Sequence, residues 1–206
     1  MRGRPTPFEP LDPDRPPLPE PQSDPVSETG VEDVACTRMS SVIELERAEA
    51  GDVDALLALR EAAAVWLAVR GVHQWVPGEV SLLQISGQVT DGEWYVTRDG
   101  SSVAGALRLL WQDEEMWGPQ PAVAAYVHGL VIDRRHAGTG LGVALLDWAG
   151  QQARRAGRGW LRLDCGEDNP ALRGYYEREG FTVVGRRDFE GRGYAVVLLE
   201  KRPFEL

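Results

Sequence analysis

Residues 131–149, VIDRRHAGTGLGVALLDWA, carry an apolar strand into three glycines spaced two apart and on into an apolar-periodic helix. That helix is expected over Leu141 to about Ala156, with Leu141, Leu145 and Trp148 on one face at i, i+4 and i+7. Gly138, Gly140 and Gly142 therefore sit at its mouth. Without Cβ atoms they let successive backbone N–H groups converge, and the unpaired N–H groups of the first helical turn add a positive end. Such a turn suits a diphosphate, and it also serves as a tight connection that binds nothing. Two familiar glycine patterns fit poorly. The P-loop requires a lysine that no glycine here precedes, and the Gly-x-Gly-x-x-Gly dinucleotide pattern does not match even spacing, which counts against a domain for ATP or NAD.

The flanking sequence supplies a sheet for this turn to join. VIELERA from Val42 alternates like a strand, and VDALLALREAAAVWLAVRG reads as a long amphipathic helix with Asp52 as N-cap and Gly71 as C-cap. A weaker helix is expected over Val80 to Val89. EWYVTRDG and SVAGALRLLW form a hairpin about Asp99-Gly100, and AAYVHGLVID is a continuous strand in which Gly129 signals a bulge or a close backbone approach. After the glycine turn come the strand WLRLDC, the short helix PALRGYYERE stopped by Gly180, and a closing pair, FTVVGRR with GYAVVLLEK. The order β-α-α-β-β-β-α-β-α-β-β predicts an α/β mixed sheet with helices on both faces.

Composition divides the chain in two. Residues 1–38 are rich in proline and acidic groups and poor in large apolar side chains, so they read as a disordered leader, with DRPPLPEP a polyproline-like ligand as the alternative. Residues 39–206 form the folded domain. The N-terminus has no apolar stretch after its basic residues and does not read as a secretory signal. The longest apolar run, Ala122 to Val127, falls well short of the roughly 20 residues of a membrane span. A net charge of −10 argues against a nucleic-acid partner. Cys36, Cys165 and the histidines His73, His128 and His136 show no metal-ligand spacing, and the two lone cysteines suit a reducing cytoplasm.

A second motif sharpens the reading. LRLDCGEDNPALRGYYEREGF places Asp164 on a strand, Asn169 just beyond it, Tyr176 on the next helix and Gly180-Phe181 at that helix's end. Together with Leu130-x-Ile132-x-Arg134-x-x-Ala137-Gly138-x-Gly140-x-Gly142, this resembles the GNAT superfamily of N-acetyltransferases over Val42 to Lys201. In that family the first motif wraps the pyrophosphate of acetyl-CoA and the second is N-x-x-x-x-x-x-Y-E-x-x-G-F. The family's Arg or Gln is Ala137 here and its proline is Arg134, while Arg135 restores R-x-x-G-x-G if the register slides by two. The resemblance implies the GNAT-like acyl-CoA N-acyltransferase fold, acetyl-CoA as cosubstrate and no metal. It implies cofactor contacts from Leu130, Val131, Ile132, Ala137, Gly138, Thr139, Gly140, Leu141, Gly142 and Asn169.

Transfer of an acetyl group to an amine needs a neutral nucleophile, a polarised thioester carbonyl and a proton for the departing thiolate. By the resemblance Tyr176 is the general acid, and Asp164 lies where amine-acetylating members place their strand-five base. The amide of Ile132 or a neighbour would polarise the carbonyl. Alternation sets Trp160, Arg162 and Asp164 on one face and Leu161, Leu163 and Cys165 on the other, so an ion pair of Asp164 with Arg162 is the competing structural role. His128 is the second candidate base or else a core histidine, water is the third, and Tyr175 is expected in the core. The acceptor pocket is expected from VRGVHQWVPGE and WQDEEMWGPQP, with Trp75, Trp111 and Trp117 as an aromatic wall and Asp113, Glu114 and Glu115 attracting an ammonium group, or else as a solvated loop anchored by its tryptophans. The expected activity is direct ternary-complex acetylation of a small-molecule or peptide primary amine by a monomer or homodimer. The alternative is an inactive acyl-CoA-binding sensor or scaffold of the same fold.

Overall fold

The computed structural model describes residues 43–72, 74–189 and 194–203, so the Pro-rich leader expected over residues 1–38 lies outside the described residues, as does His73. The elements are β1 (Glu46–Arg47), α1 (Val53–Ala68), α2 (Leu82–Thr90), β2 (Trp94–Asp99), β3 (Ser102–Leu110), α3 (Glu114–Trp117), β4 (Ala124–Ile132), α4 (Leu141–Arg155), β5 (Trp160–Gly166), α5 (Pro170–Arg178), β6 (Thr182–Phe189) and β7 (Tyr194–Lys201). The mixed α/β order is the expected one with a short helix, α3, added. The seven strands lie in the order β1-β2-β3-β4-β5-β7-β6, and only β4 and β5 run parallel. No described helix is long and apolar enough to cross a membrane.

Two differences from the sequence pattern have local causes. VIELERA yields only the two-residue β1, because Ile43 and Leu45 pack into the core while Ala48 donates to the Trp94 carbonyl at the strand's end. Asp52 does not cap α1 through its side chain. It accepts from the Glu49 amide at 2.9 Å and pairs with Arg98 at 2.8 Å, tying the helix entry to β2.

The helices bury their apolar stripes on opposite faces of the sheet. Leu145, Leu146, Ala149 and Ala153 of α4 pack with Tyr176 of α5 and with Leu107, Val127, Leu161, Leu163 and Cys165 of the sheet. Each fully buried leucine there contributes about 1.5–3 kcal/mol. Leu56 and Leu59 of α1 and Ile85 and Val89 of α2 cover the other face over Trp94, Val96, Ala106 and Val131.

Val127 and Val131 ought to share a face, since side chains alternate along a strand, yet they belong to opposite cores. Gly129 lies between them with φ +58°, and the β3–β4 register shifts between Ala106 and Arg108, so the strand carries the bulge that its glycine predicts. A Cβ at Gly129 would lie 2.7 Å from the Trp94 ring. The bulge has a second consequence. β4 pairs with β5 from Ala124↔Trp160 only as far as Val127↔Leu163, although each continues beside its other neighbour to Ile132 and to Gly166. The sheet is split between its two parallel strands.

Candidate active site

The split opens into a cleft of about 780 Å³ that reaches both faces of the sheet. Leu130, Val131, Ile132, Gly142, Asp164, Asn169, Tyr175 and Tyr176 all border it, joined by Arg60, Trp66, Gln74, Trp75, Arg108 and His128.

On the α4/α5 side, Gly138 and Gly140 have φ +79° and +86°, and no atom lies within 4 Å of where a Cβ would stand on either. Their left-handed backbone shapes a bare concave turn, and Gly140 is the N-cap from which α4 starts. The Thr139 hydroxyl bonds back to the His136 carbonyl at 2.8 Å, and Asp133 receives both the amide and the guanidinium of Arg135, which holds Asp133 down at about 2. Arg135 is therefore turned back on the loop, while Arg134 lies over the Trp66 ring at 4.0 Å. Gly142 serves a different purpose. A Cβ there would lie 2.7 Å from the Tyr175 hydroxyl and 3.1 Å from Ile132, so its lack of a side chain admits Tyr175. Tyr175 both packs against the core, as expected, and borders the cleft.

Backbone alternation decides which amides of β4 face the split. The Asp133 amide donates to Ala104 of β3, so Ile132 and Leu130 turn theirs to the side that β5 has left. Across the split, the Gly166 amide and Asn169 Nδ2 both donate to Gln74 Oε1, at 2.9 and 3.3 Å, while Asn169 Oδ1 caps α5 through the Leu172 amide. Two donors thus converge on one amide oxygen.

On the α1/α2 side, strand pairing lines up Trp94↔Arg108 and Arg108↔His128, and Asp164 follows His128 on β5. Directly paired residues share a face, so the row crosses four strands. Asp113 reaches His128 Nε2 at 2.8 Å, and Asp164 Oδ1 stands 3.5 Å from Nδ1. Both ring nitrogens therefore face carboxylates. Burial opposes charge on His128, but the Asp113 bond and the Asp164 charge outweigh it and raise its pKa. Burial raises Asp164 above the ordinary carboxylate range, while His128 opposes that rise. Asp164 Oδ1 is sealed without a hydrogen-bond partner, which leaves Oδ2 to meet the cleft. The pairing of Asp164 with Arg162 does not form; Arg162 binds Glu200 at 2.9 Å and stacks on Trp117.

Tyr176 approaches from the opposite core, 6 % exposed, its ring 5.5 Å from Tyr175 and 5.8 Å from Phe181. Burial, with Cys165 and Asp164 nearby, drives its phenol well above the ordinary value, so it holds its proton at any working pH. Cys165 is buried on the same side, its thiol pushed up to about 12.

The expected aromatic wall forms only in part. Trp75 borders the cleft, but Trp117 is fully buried beneath Arg162, and Trp111 stands outside the cleft near Arg158. Asp113 is likewise no solvated loop residue, since it caps α3 and grips His128. Arg60 is a cleft residue that the sequence does not mark, while Gln74 and Asp113 lie in the stretches expected to form the acceptor pocket but make contacts that the sequence does not foretell, with Asn169 and with His128. No cluster suited to a metal ion occurs among the described residues.

Comparison with known proteins agrees with this architecture. The model of the acetyltransferase (GNAT) family matches residues 60–181. The uncharacterized N-acetyltransferase YesJ of Bacillus subtilis is 32% identical over 143 residues, 65% of this chain and 78% of that protein. A GNAT-family acetyltransferase from Listeria monocytogenes superposes with a TM-score of 0.62 at 22% identity, over 78% of this chain and 94% of its own. The structure of yncA from Salmonella typhimurium with its cofactor acetyl-CoA gives 0.58 at 18% identity, over 80% and 95%.

Proposed function

The chain belongs to the acetyltransferase (GNAT) family, and from that premise we propose that it transfers acetyl from acetyl-CoA to a primary amine by direct attack within a ternary complex. The observation that carries the reading is that Tyr176 and Asp164, from opposite faces of the sheet, border one cleft beside the bare glycine turn.

The amides around Ala137, Gly138, Thr139, Gly140 and Leu141 suit the diphosphate, since the space before Gly138 and Gly140 is open and the end of α4 is positive. Leu130, Val131 and Ile132 suit the arm, with the outward amides of Leu130 and Ile132 as donors to its carbonyl oxygens. Asn169 Nδ2 and the Gly166 amide already hold an amide oxygen, that of Gln74, and an amide of the arm presents the same chemistry. Acetyl-CoA supplies a thioester carbonyl activated for attack.

Asp164 accepts a proton through Oδ2 and leaves the amine neutral, with His128 and Asp113 supporting it from behind. The nitrogen forms a bond to the carbonyl carbon as the carbon–sulfur bond breaks. Tyr176 gives its proton to the departing thiolate. Cys165 takes no covalent part, because burial holds its thiol neutral.

The test is a thermal titration with acetyl-CoA followed by a thiol-release screen over amines, amino acids and peptides. Binding should raise Tm with ligand concentration and thiol release should require an amine. Binding without release to any amine would favour a sensor of the same fold.

A further inference from the structure

Arg60 is held in the cleft with donors to spare. It enters from α1 with its side chain 12% exposed, and its hydrogen bond is a 3.5 Å contact from Nη2 to Glu79, a residue 53% exposed and also engaged with the Val76 amide. Its Nη1 is buried without a partner among the described residues. The guanidinium lies over the Trp75 ring at 4.1 Å, which fixes its plane. Leaving donors of a buried cation unmatched is costly, and the cost falls if the cleft is built for an anion.

Arg108 adds a second cation on the same wall. It commits Nε and Nη2 to Glu93, and Nη1 has no hydrogen bond among the described residues. Its register opposite His128 turns it to the α1/α2 face, beside the base. Burial lowers the pKa of Arg60, Glu79 and Glu61 oppose that, and Arg108 is near enough to add a smaller lowering. Two repelling guanidiniums with unused donors thus flank the place where the acceptor nitrogen must stand.

We infer that the acceptor carries a carboxylate, as a free amino acid or a close analogue does, and that Arg60 and Arg108 hold it while Trp75 borders the same pocket. Both arginines lie on the sheet face opposite the glycine turn, so the anion they await is not the diphosphate of the carrier. The inference rests on the acetyltransferase reading and narrows it to one acceptor class.

Matched acceptors test it with the unaltered protein: α-amino acids, their amides and the corresponding decarboxylated amines, compared by kcat/KM at fixed acetyl-CoA. The acids should be favoured over both analogues by about 10- to 100-fold, the contribution of one or two charge-assisted hydrogen bonds. Arg60→Gln should bring that preference to within about threefold, mainly through KM, with acetyl-CoA affinity unchanged. Equal use of acid and amide across the panel, or weakened acetyl-CoA binding in Arg60→Gln, would overturn the inference and leave the transferase reading standing. Thiol release with no amine at all would overturn both.

Discussion

Three influences meet on Asp164. Burial lifts its pKa, His128 pulls it down, and Asp113 pushes it up again. Removing the imidazole in His128→Asn deletes the one opposing influence, so Asp164 should hold its proton to higher pH. The acidic limb of the kcat/KM profile should then move alkaline, and a profile that stays in place would show that His128 does not act on the base. Tyr176→Phe keeps the ring that packs on Phe181 and removes only the hydroxyl, the proposed proton donor. Its kcat should fall roughly 10²- to 10⁴-fold, the usual weight of a positioned acid. Acetyl-CoA affinity by calorimetry should be unchanged. The sequence singles out Asp164 and Tyr176 through the resemblance of its second motif to the acetyltransferase pattern, and strand alternation adds only that Asp164 stands off the apolar face. Arg60 is not singled out, and Asp113 is read there only as an acidic acceptor-pocket residue, not as the partner of His128. Asp113 meets His128 only because the loop after β3 folds back, and Arg60 acquires meaning only through what α1 is laid against.

Among the elements, β4 carries the greatest burden, because one residue both flips its faces and parts it from β5. Gly129→Ala places a side chain at φ +58°, at a cost of about 1–2 kcal/mol for the left-handed backbone alone. It also sets a Cβ 2.7 Å from Trp94. Urea unfolding should show a loss above that figure, and activity should drop further than stability explains, since the bulge sets the direction of the Leu130 and Ile132 amides. Element order and the bulge were readable from periodicity and one glycine. The brevity of β1 and the presence of α3 were not, because apolar residues at Ile43, Leu45 and Trp117 satisfy a strand pattern or a core pocket equally well until the neighbouring surface exists.

At the scale of the molecule, the sheet separates the α4/α5 core from the clusters on its other face, and polar groups of both sides border the cleft at its split. That arrangement explains how one small domain can hold a phenol among aromatic rings and a carboxylate beside an imidazole without the two environments mixing. Interior side chains on α4 report on stability alone, so Leu146→Ala should cost about 2–5 kcal/mol by denaturant titration with kcat per folded molecule preserved.

A cleft lined from both faces of the sheet also bears on the order of events. On the proposed reading the thioester arrives past the glycine turn and the nitrogen past α1, so neither reactant stands in the other's path, and each product can retreat the way its parent came. Turnover in such a device needs no exchange of occupants at a single mouth, only the brief meeting of two visitors through a slot in a wall.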